Sequence, residues 1–291
     1  MSTESIDPRF TDIDLWPTGN AVQAMIEGQL AAVAALQGQA RAIAAAAEAA
    51  AGRLRAGGRL VYAGAGTSGR VAVQDGVELG PTYGWPEARQ VYLMAGGLRA
   101  LTEAVEGAED DADAARAEIA AAGVGANDVV IGVAASGRTR YTVAAIEAAR
   151  AAGALTLAIA NNPDTPLLRA AEHAVLVDTG SEIVAGSTRM KAGTAQKAAL
   201  NLFSTATMIR LGYVYRGQMV AMRMANAKLQ VRGRAMVARL AGVDEDAAGA
   251  ALEAAGRDIR RAVLIARGAS PEDAAARLDA AGGSLRATLE Q

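Results

Sequence analysis

Three short stretches of the chain combine glycine with hydroxyl side chains, in positions where a phosphate could be bound. They read GAGTSGR at 64–70, AASGRT at 134–139 and GSTRMK at 186–191. Glycine allows the backbone to approach a ligand closely, and the start of a following helix offers free N–H groups and the positive end of its dipole. Three such polar turns are what one phosphorylated small molecule would need.

Carboxylates are the side chains best suited to acid–base chemistry here. The candidates are Glu78, Glu103, Glu106, Glu109 and Asp110. Glu106 and Glu109 are three residues apart, so they share a face if their acidic segment is helical. Any of the five could instead be a solvated charge or a helix cap, and periodicity does not choose among them.

The segment GAGTSG formally matches the dinucleotide pattern GxGxxG, but its context does not fit that function. A dinucleotide fold needs an acidic residue at the end of the second strand to bind the ribose. The second apolar run ends instead in Leu93-Met94-Ala95-Gly96-Gly97. A phosphate-binding turn with hydroxyl side chains is therefore favoured.

Composition excludes several classes of function. The chain has 291 residues, a net charge of −2, no cysteine and one histidine, His173. These features argue against disulfides, thiolate chemistry, a zinc or iron site and a nucleic-acid surface, and we expect His173 to be structural. The N-terminus is polar and acidic, unlike a signal peptide, and no run approaches the roughly 20 apolar residues that span a bilayer. A cytoplasmic protein with no membrane partner is expected.

The elements that must position the polar turns alternate between strands and helices. Apolar runs at 60–63, 89–95, 128–134, 155–160 and 174–177 read as strands, and Ala-rich helical segments separate them. This alternation predicts a parallel sheet covered on both faces. We further expect helices at 20–55 (one or two, since Gly38 leaves this open), 98–105, 188–211 and 218–240. The predicted divisions are an arm with helices at 1–55, a main α/β domain at 56–240 and a three-helix module at 241–291.

Beyond these patterns, the order of motifs resembles a known family. The segments GAGTSGR, D-x-x-E before PTYG, AVEGAEDD at 104–111, AASGRT, GSTRMKAGTAQK at 186–197 and NAKL at 226–229 are similar to those of the N-acetylmuramic acid 6-phosphate etherases. These enzymes belong to the sugar isomerase (SIS) domain superfamily. The resemblance covers nearly the whole chain.

The resemblance implies a flavodoxin-like α/β SIS fold with a small UBA-like helical tail, and a homodimer. It also implies a reaction: release of D-lactate from N-acetylmuramate 6-phosphate, by elimination and then hydration, leaving N-acetylglucosamine 6-phosphate. No metal or organic cofactor is implied. By motif, the family's acid falls on Glu78 and its base on Glu109. The implied substrate and phosphate contacts are Gly66, Thr67, Ser68, Ser136, Gly137, Thr139, Ser187, Thr188 and Lys191.

The sequence departs from the family pattern at several positions that bear on substrate preference, and two alternative functions remain open beside the etherase. Leu79-Gly80-Pro81 stands where the family usually has Cys-Pro-Pro, Leu98 where Glu is usual, and Asn161-Asn162-Pro163 where Cys-Asn-Pro is usual. A non-catalytic sugar-phosphate regulator would keep the hydroxyl turns but need neither Glu, so the presence of both favours the enzyme. An aldose–ketose isomerase would share the turns, but AVEGAEDD and STRMKAGTAQK point away from it.

Overall fold

The computed structural model describes residues 2–290, which form two compact units. The first reaches Gly76 and resumes at Ala88–Ala206, while the second comprises Val77–Glu87 and the chain from Thr207 onward. A short segment after Gly76 thus belongs with the C-terminal part.

The N-terminal arm contains three short 3₁₀ turns, Ser2–Glu4, Pro8–Phe10 and Ile13–Leu15. From residue 18 to 210 the elements are, in order, α1 (Thr18–Ala34), α2 (Ala40–Arg55), β1 (Leu60–Gly64), α3 (Gly66–Tyr83), β2 (Gln90–Met94), α4 (Ala112–Ala121), β3 (Val129–Val133), α5 (Arg140–Ala151), β4 (Leu155–Ala160), α6 (Pro166–Ala170), β5 (His173–Leu176) and α7 (Lys191–Arg210). A 3₁₀ segment containing Gly38 separates α1 from α2, so the sequence between 18 and 55 forms two α-helices.

The five strands predicted from the apolar runs are all present in one parallel sheet. Its order is β2-β1-β3-β4-β5, and the register pairs Leu60 with both Gln90 and Val129. β1, β3 and β4 are buried along their whole length, as expected for strands covered on both faces. The predicted flavodoxin-like α/β class is confirmed.

Alternation along the strands sends side chains to two helical layers. Val61 and Ala63 of β1 join a core with residues of α4, α5 and α6. Tyr62 points to the other face, where its hydroxyl donates to Asp75 of α3 at 3.2 Å. Burial raises the pKa of Asp75, and the nearby Lys197 works against that rise. Asn201 and Ser204 of α7 also donate to Asp75, so this carboxyl group joins α3, α7 and the sheet.

From Val214 to Glu290, the second unit contains a hairpin and five helices. They are β6 (Val214–Tyr215), β7 (Gln218–Met219), α8 (Ala227–Ala241), α9 (Glu245–Ala254), α10 (Ile259–Ala266), α11 (Pro271–Ala280) and α12 (Leu285–Glu290). The expected helix from 218 to 240 is wrong in its first part. Arg216 and Gly217 both have positive φ, 47° and 72°, which is the backbone of a two-residue type I′ hairpin turn.

Two further expectations are corrected by the element bounds. The segment 98–105 forms only a 3₁₀ turn, Leu98–Leu101, and the carbonyl oxygens of Ala100 and Glu103 accept hydrogen bonds from the Arg70 side chain and not from a following helical turn. Between residues 242 and 290 there are four helices in place of three. Their core is built mainly from alanine and branched side chains, with Val263 and Leu285 fully buried.

The helical region Thr18–Arg55 meets the length and composition of a membrane span, contrary to our expectation for the sequence. Its most apolar 18-residue window has a mean hydropathy of 1.2 and is 28% buried. Much of this hydropathy comes from alanine. A core helix of a soluble protein passes the same test, so composition alone is weak evidence for a membrane.

Candidate active site

The strand order places a natural ligand crevice between β1 and β3. The chain leaves β1 towards β2 on one side of the sheet, while β3 lies on the other side, so the order reverses at this point. Gly64 at the end of β1 is in register with Val133 at the end of β3. Open α/β sheets bind ligands outside the carboxyl ends of strands at such a switch point. Both of the first two hydroxyl turns follow these strands.

The turn after β1 is short because Gly64 and Gly69 pack against each other. A Cβ added to Gly64 would lie 2.8 Å from Cα of Gly69, closer than real Cβ contacts. Helix α3 then begins at Gly66, so Thr67 and Ser68 lie in its first turn and not in a turn before it. The first N–H groups of a helix have no intrahelical acceptor and can bind an anion.

The turn after β3 has a different construction. Gly137 has a φ of 63°, and Thr165 leaves no room for a side chain there. Ser136 Oγ accepts a hydrogen bond from the backbone N–H of Arg138 at 3.1 Å. Thr139 is the N-cap residue of α5, but its side chain makes no capping hydrogen bond. The hydroxyl groups of Ser136 and Thr139 therefore flank a second helix start.

The third stretch, 186–191, contributes less than its sequence suggests. The buried carboxylate of Glu182 accepts hydrogen bonds from the N–H groups of Lys191 and Ala192, both at 2.9 Å. The N-terminus of α7 is thus already capped by the chain itself. The ammonium group of Lys191 donates to the carbonyl oxygen of Ser181 at 2.8 Å.

A cavity of about 430 Å³, which we call the first cavity, lies where these turns meet. Its hydroxyl-bearing lining residues are Thr67, Ser68, Ser136, Thr139 and Thr188, and its charged ones are Glu4, Glu109, Asp110 and Arg138. Gly66 also lines it. Gly137, Ser187 and Lys191 are not among the lining residues. The cavity thus has one group of neutral donors beside two helix starts, and several carboxylates.

Glu109 stands out among the five candidate carboxylates. It lies in the 3₁₀ turn Ala108–Asp110 and lines both the first cavity and a second one of about 440 Å³. Glu103 and Glu106 line the second cavity alone, and Asp110 lines the first alone. The two cavities share Ala65, Gly66 and Thr67 as well.

Arg70 holds the acidic segment near the β1 turn. Its guanidinium group donates to the carbonyl oxygens of Ala100 and Glu103, both at 3.0 Å. Since Arg70 belongs to the first turns of α3, this contact ties the 98–103 segment to the same helix that carries Ser68.

Glu78 occupies a different environment. It lies on α3 and is exposed, and it belongs to the segment Val77–Glu87 of the second unit. It lines neither of the two cavities described above.

Comparison with known proteins identifies the family. The chain is 50% identical over 288 residues to a Deinococcus radiodurans protein named N-acetylmuramic acid 6-phosphate etherase, covering 99% of this chain and 94% of that relative. It is 45% identical to a Streptomyces coelicolor protein of the same name, covering 99% and 93% of the two chains. The chain belongs to the N-acetylmuramic acid 6-phosphate etherase family. The resemblance seen in its motifs is confirmed, and with it the expectation of a lyase.

Domain-level and structural matches agree with this assignment. Residues 42–150 match the glucokinase regulatory protein N-terminal SIS domain, and residues 104–206 match the SIS domain. A Bacteroides fragilis structure described as a phosphosugar isomerase involved in capsule formation has a TM-score of 0.50 and 20% identity, covering 69% of this chain and 95% of that one. A ligand-bound E. coli protein also has a TM-score of 0.50, at 15% identity, covering 71% and 96%. At these identities the two structures show a shared fold.

In this etherase-family chain, the N-terminal arm adds site residues that sequence reasoning missed. Thr3 is fully buried and Glu4 lines the first cavity. The hydroxyl group of Thr3 accepts a hydrogen bond from Asn162, which follows β4 and lies 159 residues after Thr3 in the sequence. No local pattern in the sequence could have revealed this contact.

A partly buried ion pair joins the opposite ends of the two strands that carry the site. Arg59 and Asp128 precede β1 and β3, and their side chains are 2.7 Å apart. Burial acts to raise the pKa of Asp128, but hydrogen bonds from Arg59 and the N–H of Gly125 outweigh it and hold the pKa below the usual value. The β1–β3 register on which the crevice depends is thereby anchored.

Three carboxylates line the first cavity, which raises the question of a metal. Across residues 2–290, no group of three or more histidine, cysteine, aspartate or glutamate side chains is arranged to hold a metal ion.

Proposed function

We propose that this chain cleaves the D-lactyl ether of N-acetylmuramate 6-phosphate, giving N-acetylglucosamine 6-phosphate and D-lactate. The main support for this proposal is that Glu109 lines both cavities, beside two hydroxyl-bearing turns. The family of the chain is the second support.

The phosphate group is assigned to the turns after β1 and β3. Ser68, Ser136 and Thr139 supply hydroxyl donors at the starts of α3 and α5, where backbone N–H groups and helix dipoles favour an anion. Thr67 and Thr188 add hydroxyl groups to the same cavity. Ser187 is left outside this assignment because it does not line the first cavity. Lys191 is left outside because its ammonium group already donates to the carbonyl oxygen of Ser181.

The bond cleavage is assigned to two carboxyl groups. As the base, Glu109 removes the proton from C2, next to the aldehyde of the opened sugar. A double bond then forms between C2 and C3 while the C3–oxygen bond breaks, and a carboxylic acid protonates the departing lactate oxygen. The family motif gives this role to Glu78, which lines neither of the two cavities. Water adds to C3 and a proton returns to C2, so that one water molecule is consumed in total. Such chemistry needs one ionised and one protonated carboxyl group at the same pH.

A sugar-phosphate regulator is the second candidate function. It is favoured by the match of residues 42–150 to the glucokinase regulatory protein domain. A regulator would bind a sugar phosphate in the first cavity without releasing lactate.

Lactate release from N-acetylmuramate 6-phosphate separates the two candidates. The etherase proposal predicts stoichiometric D-lactate and N-acetylglucosamine 6-phosphate. Binding of both sugar phosphates in a thermal-shift assay, with no lactate released, would reject the enzyme in favour of the regulator.

We also propose that the chain is a cytoplasmic homodimer, in which a second copy covers α1. Val22, Ile26, Leu30 and Val33 lie along one face of this helix and are 45–67% exposed, an apolar stripe of the kind that marks interaction surfaces. Light scattering in detergent-free buffer should give a dimer mass, and Leu30→Glu should give a monomer. A monomeric wild type would reject this assembly.

A further inference from the structure

We propose that Glu4 is a substrate-binding residue, which accepts a hydrogen bond from a hydroxyl group or amide N–H of the sugar, and that buried Thr3 holds it in position. This inference rests on the proposed function, because it assigns the sugar phosphate to the first cavity. It makes the N-terminal arm part of the active site.

The arm is fixed by Thr3, which joins two of the site's loops. Asn162 Nδ2 donates to Thr3 Oγ1 at 2.9 Å and to the carbonyl oxygen of Ala135 at 2.8 Å. Ala135 is the neighbour of Ser136, so the arm is tied to the β3 turn. On its other side, the Thr3 carbonyl oxygen accepts from the N–H of Gly186 at 3.0 Å, in the stretch that carries Thr188.

These contacts constrain the next residue, Glu4. Its carboxylate packs over Gly186, where an added Cβ would lie 3.0 Å from Glu4 Oε2. Glu4 thus lines the first cavity together with Ser68, Ser136 and Thr139. Its carboxylate accepts hydrogen bonds, whereas the hydroxyl groups of the other three residues can donate them.

The chemistry of the carboxylate decides which part of the substrate it would contact. An ionised carboxylate accepts hydrogen bonds and repels an anion, so Glu4 does not suit the phosphate group. The neutral part of an amino sugar carries several hydroxyl donors and one amide N–H. A hydrogen bond between such a donor and a carboxylate is charge-assisted and stronger than a neutral one.

The test compares Glu4→Ala, Glu4→Gln and Thr3→Val with Asp14→Asn as control. Asp14 is an exposed carboxylate on the same arm, and it does not line the first cavity. We would measure KM and kcat for lactate release and, separately, the Kd for N-acetylglucosamine 6-phosphate.

Glu4→Ala is expected to raise both KM and Kd about tenfold, which corresponds to about 1.4 kcal/mol, while kcat changes much less. Glu4→Gln keeps a carbonyl acceptor and should lose less affinity. Thr3→Val should weaken binding in the same direction, Thr3→Ser should restore it, and the double variant Thr3→Val/Glu4→Ala should be no weaker than Glu4→Ala alone.

Three results would overturn the inference. Unchanged KM and Kd in Glu4→Ala would remove Glu4 from the binding site. A collapse of kcat in Glu4→Gln, with KM unchanged, would make Glu4 a proton-transfer group. Fully additive losses in the double variant would show that Thr3 does not act through Glu4. Failure of the proposed function looks different, since wild type would release no lactate while Glu4→Ala still weakened N-acetylglucosamine 6-phosphate binding.

Discussion

Substitution of Gly137 by alanine should lower the free energy of unfolding and weaken sugar-phosphate binding. The loss of stability has a conformational part and a steric part, which can be measured separately. Gly137 has a φ of 63°, and a non-glycine residue in this left-handed region costs about 1–2 kcal/mol. The added Cβ would also lie 2.4 Å from Thr165 Oγ1 and 2.5 Å from Thr165 Cβ. Because Thr165 is completely buried, its side chain cannot relieve this contact by turning into solvent. Overpacking of this kind costs typically about 1–3 kcal/mol.

Gly123 provides a matched control for the conformational part of this cost. Its φ is 57°, but an added Cβ there would meet nothing within 4 Å. Gly123→Ala should therefore lower the free energy of unfolding by the conformational cost alone, about 1–2 kcal/mol. Gly137→Ala should lower it by about 2–5 kcal/mol, the sum of the two costs.

Equilibrium urea unfolding, followed by circular dichroism, measures this difference. Sugar-phosphate binding by thermal shift should also weaken in Gly137→Ala, because Ser136 and Thr139 flank the displaced residue, and should stay unchanged in Gly123→Ala. Equal destabilisation of the two variants would refute the claim that Thr165 closes the β3 turn against any side chain.

Two further predictions test the site and its support. Ser136→Ala should weaken sugar-phosphate binding about tenfold, the effect of losing about 1.4 kcal/mol. Ser187→Ala should leave the affinity within about threefold of wild type, because Ser187 does not line the first cavity. Thermal-shift titration compares the two variants, and equal losses of affinity would contradict the assignment of the phosphate to the β1 and β3 turns. Asp128→Asn should destabilise the chain by about 1.5–3 kcal/mol at pH 7, the value of hydrogen bonds to a charged group, since it weakens the contacts with Arg59 and Gly125. The lowered pKa of Asp128 means that its stabilisation is present above the usual value of 3.8 and is lost as the pH falls through the folded-state pKa. Urea unfolding should therefore show the difference from wild type shrinking below pH 3.8, and a difference that stays constant would reject the ion pair as its cause. The exposed pair of Arg116 and Asp113 supplies the control, and Asp113→Asn should change stability by less than about 1 kcal/mol.

The sequence predicts the sheet well because its signal is local. Each strand is an apolar, β-branched run, and glycine-containing turns close β1 and β3, so the five strands and the two main hydroxyl turns can be recognised without any long-range information. The sequence does not predict the β6–β7 hairpin, because Arg216 takes a positive φ and arginine is not a residue type that favours this conformation.

The parts of the site that were not predicted depend on contacts between distant residues. The capping of α7 by Glu182 spans a shorter distance, but it crosses an irregular segment in which no helical or strand period relates Glu182 to Lys191 and Ala192. The bond between Thr3 and Asn162 joins the start of the chain to the end of β4. Periodicity does not separate Glu109 from Glu106, and only the family motif selects Glu109 from the sequence; the cavities support that choice, because Glu109 lines both and Glu106 lines one.

The two carboxylates can be assigned separate roles by one measurement, proton exchange at C2 followed beside lactate release. Wild type, Glu109→Gln and Glu78→Gln would each be given N-acetylmuramate 6-phosphate, and in a parallel reaction N-acetylglucosamine 6-phosphate in deuterated water. We expect Glu109→Gln to lose both deuterium incorporation at C2 and lactate release, whereas Glu78→Gln should lose lactate release but still exchange the C2 proton. Deuterium incorporation at the wild-type rate in Glu109→Gln would contradict the assignment of Glu109 as the base.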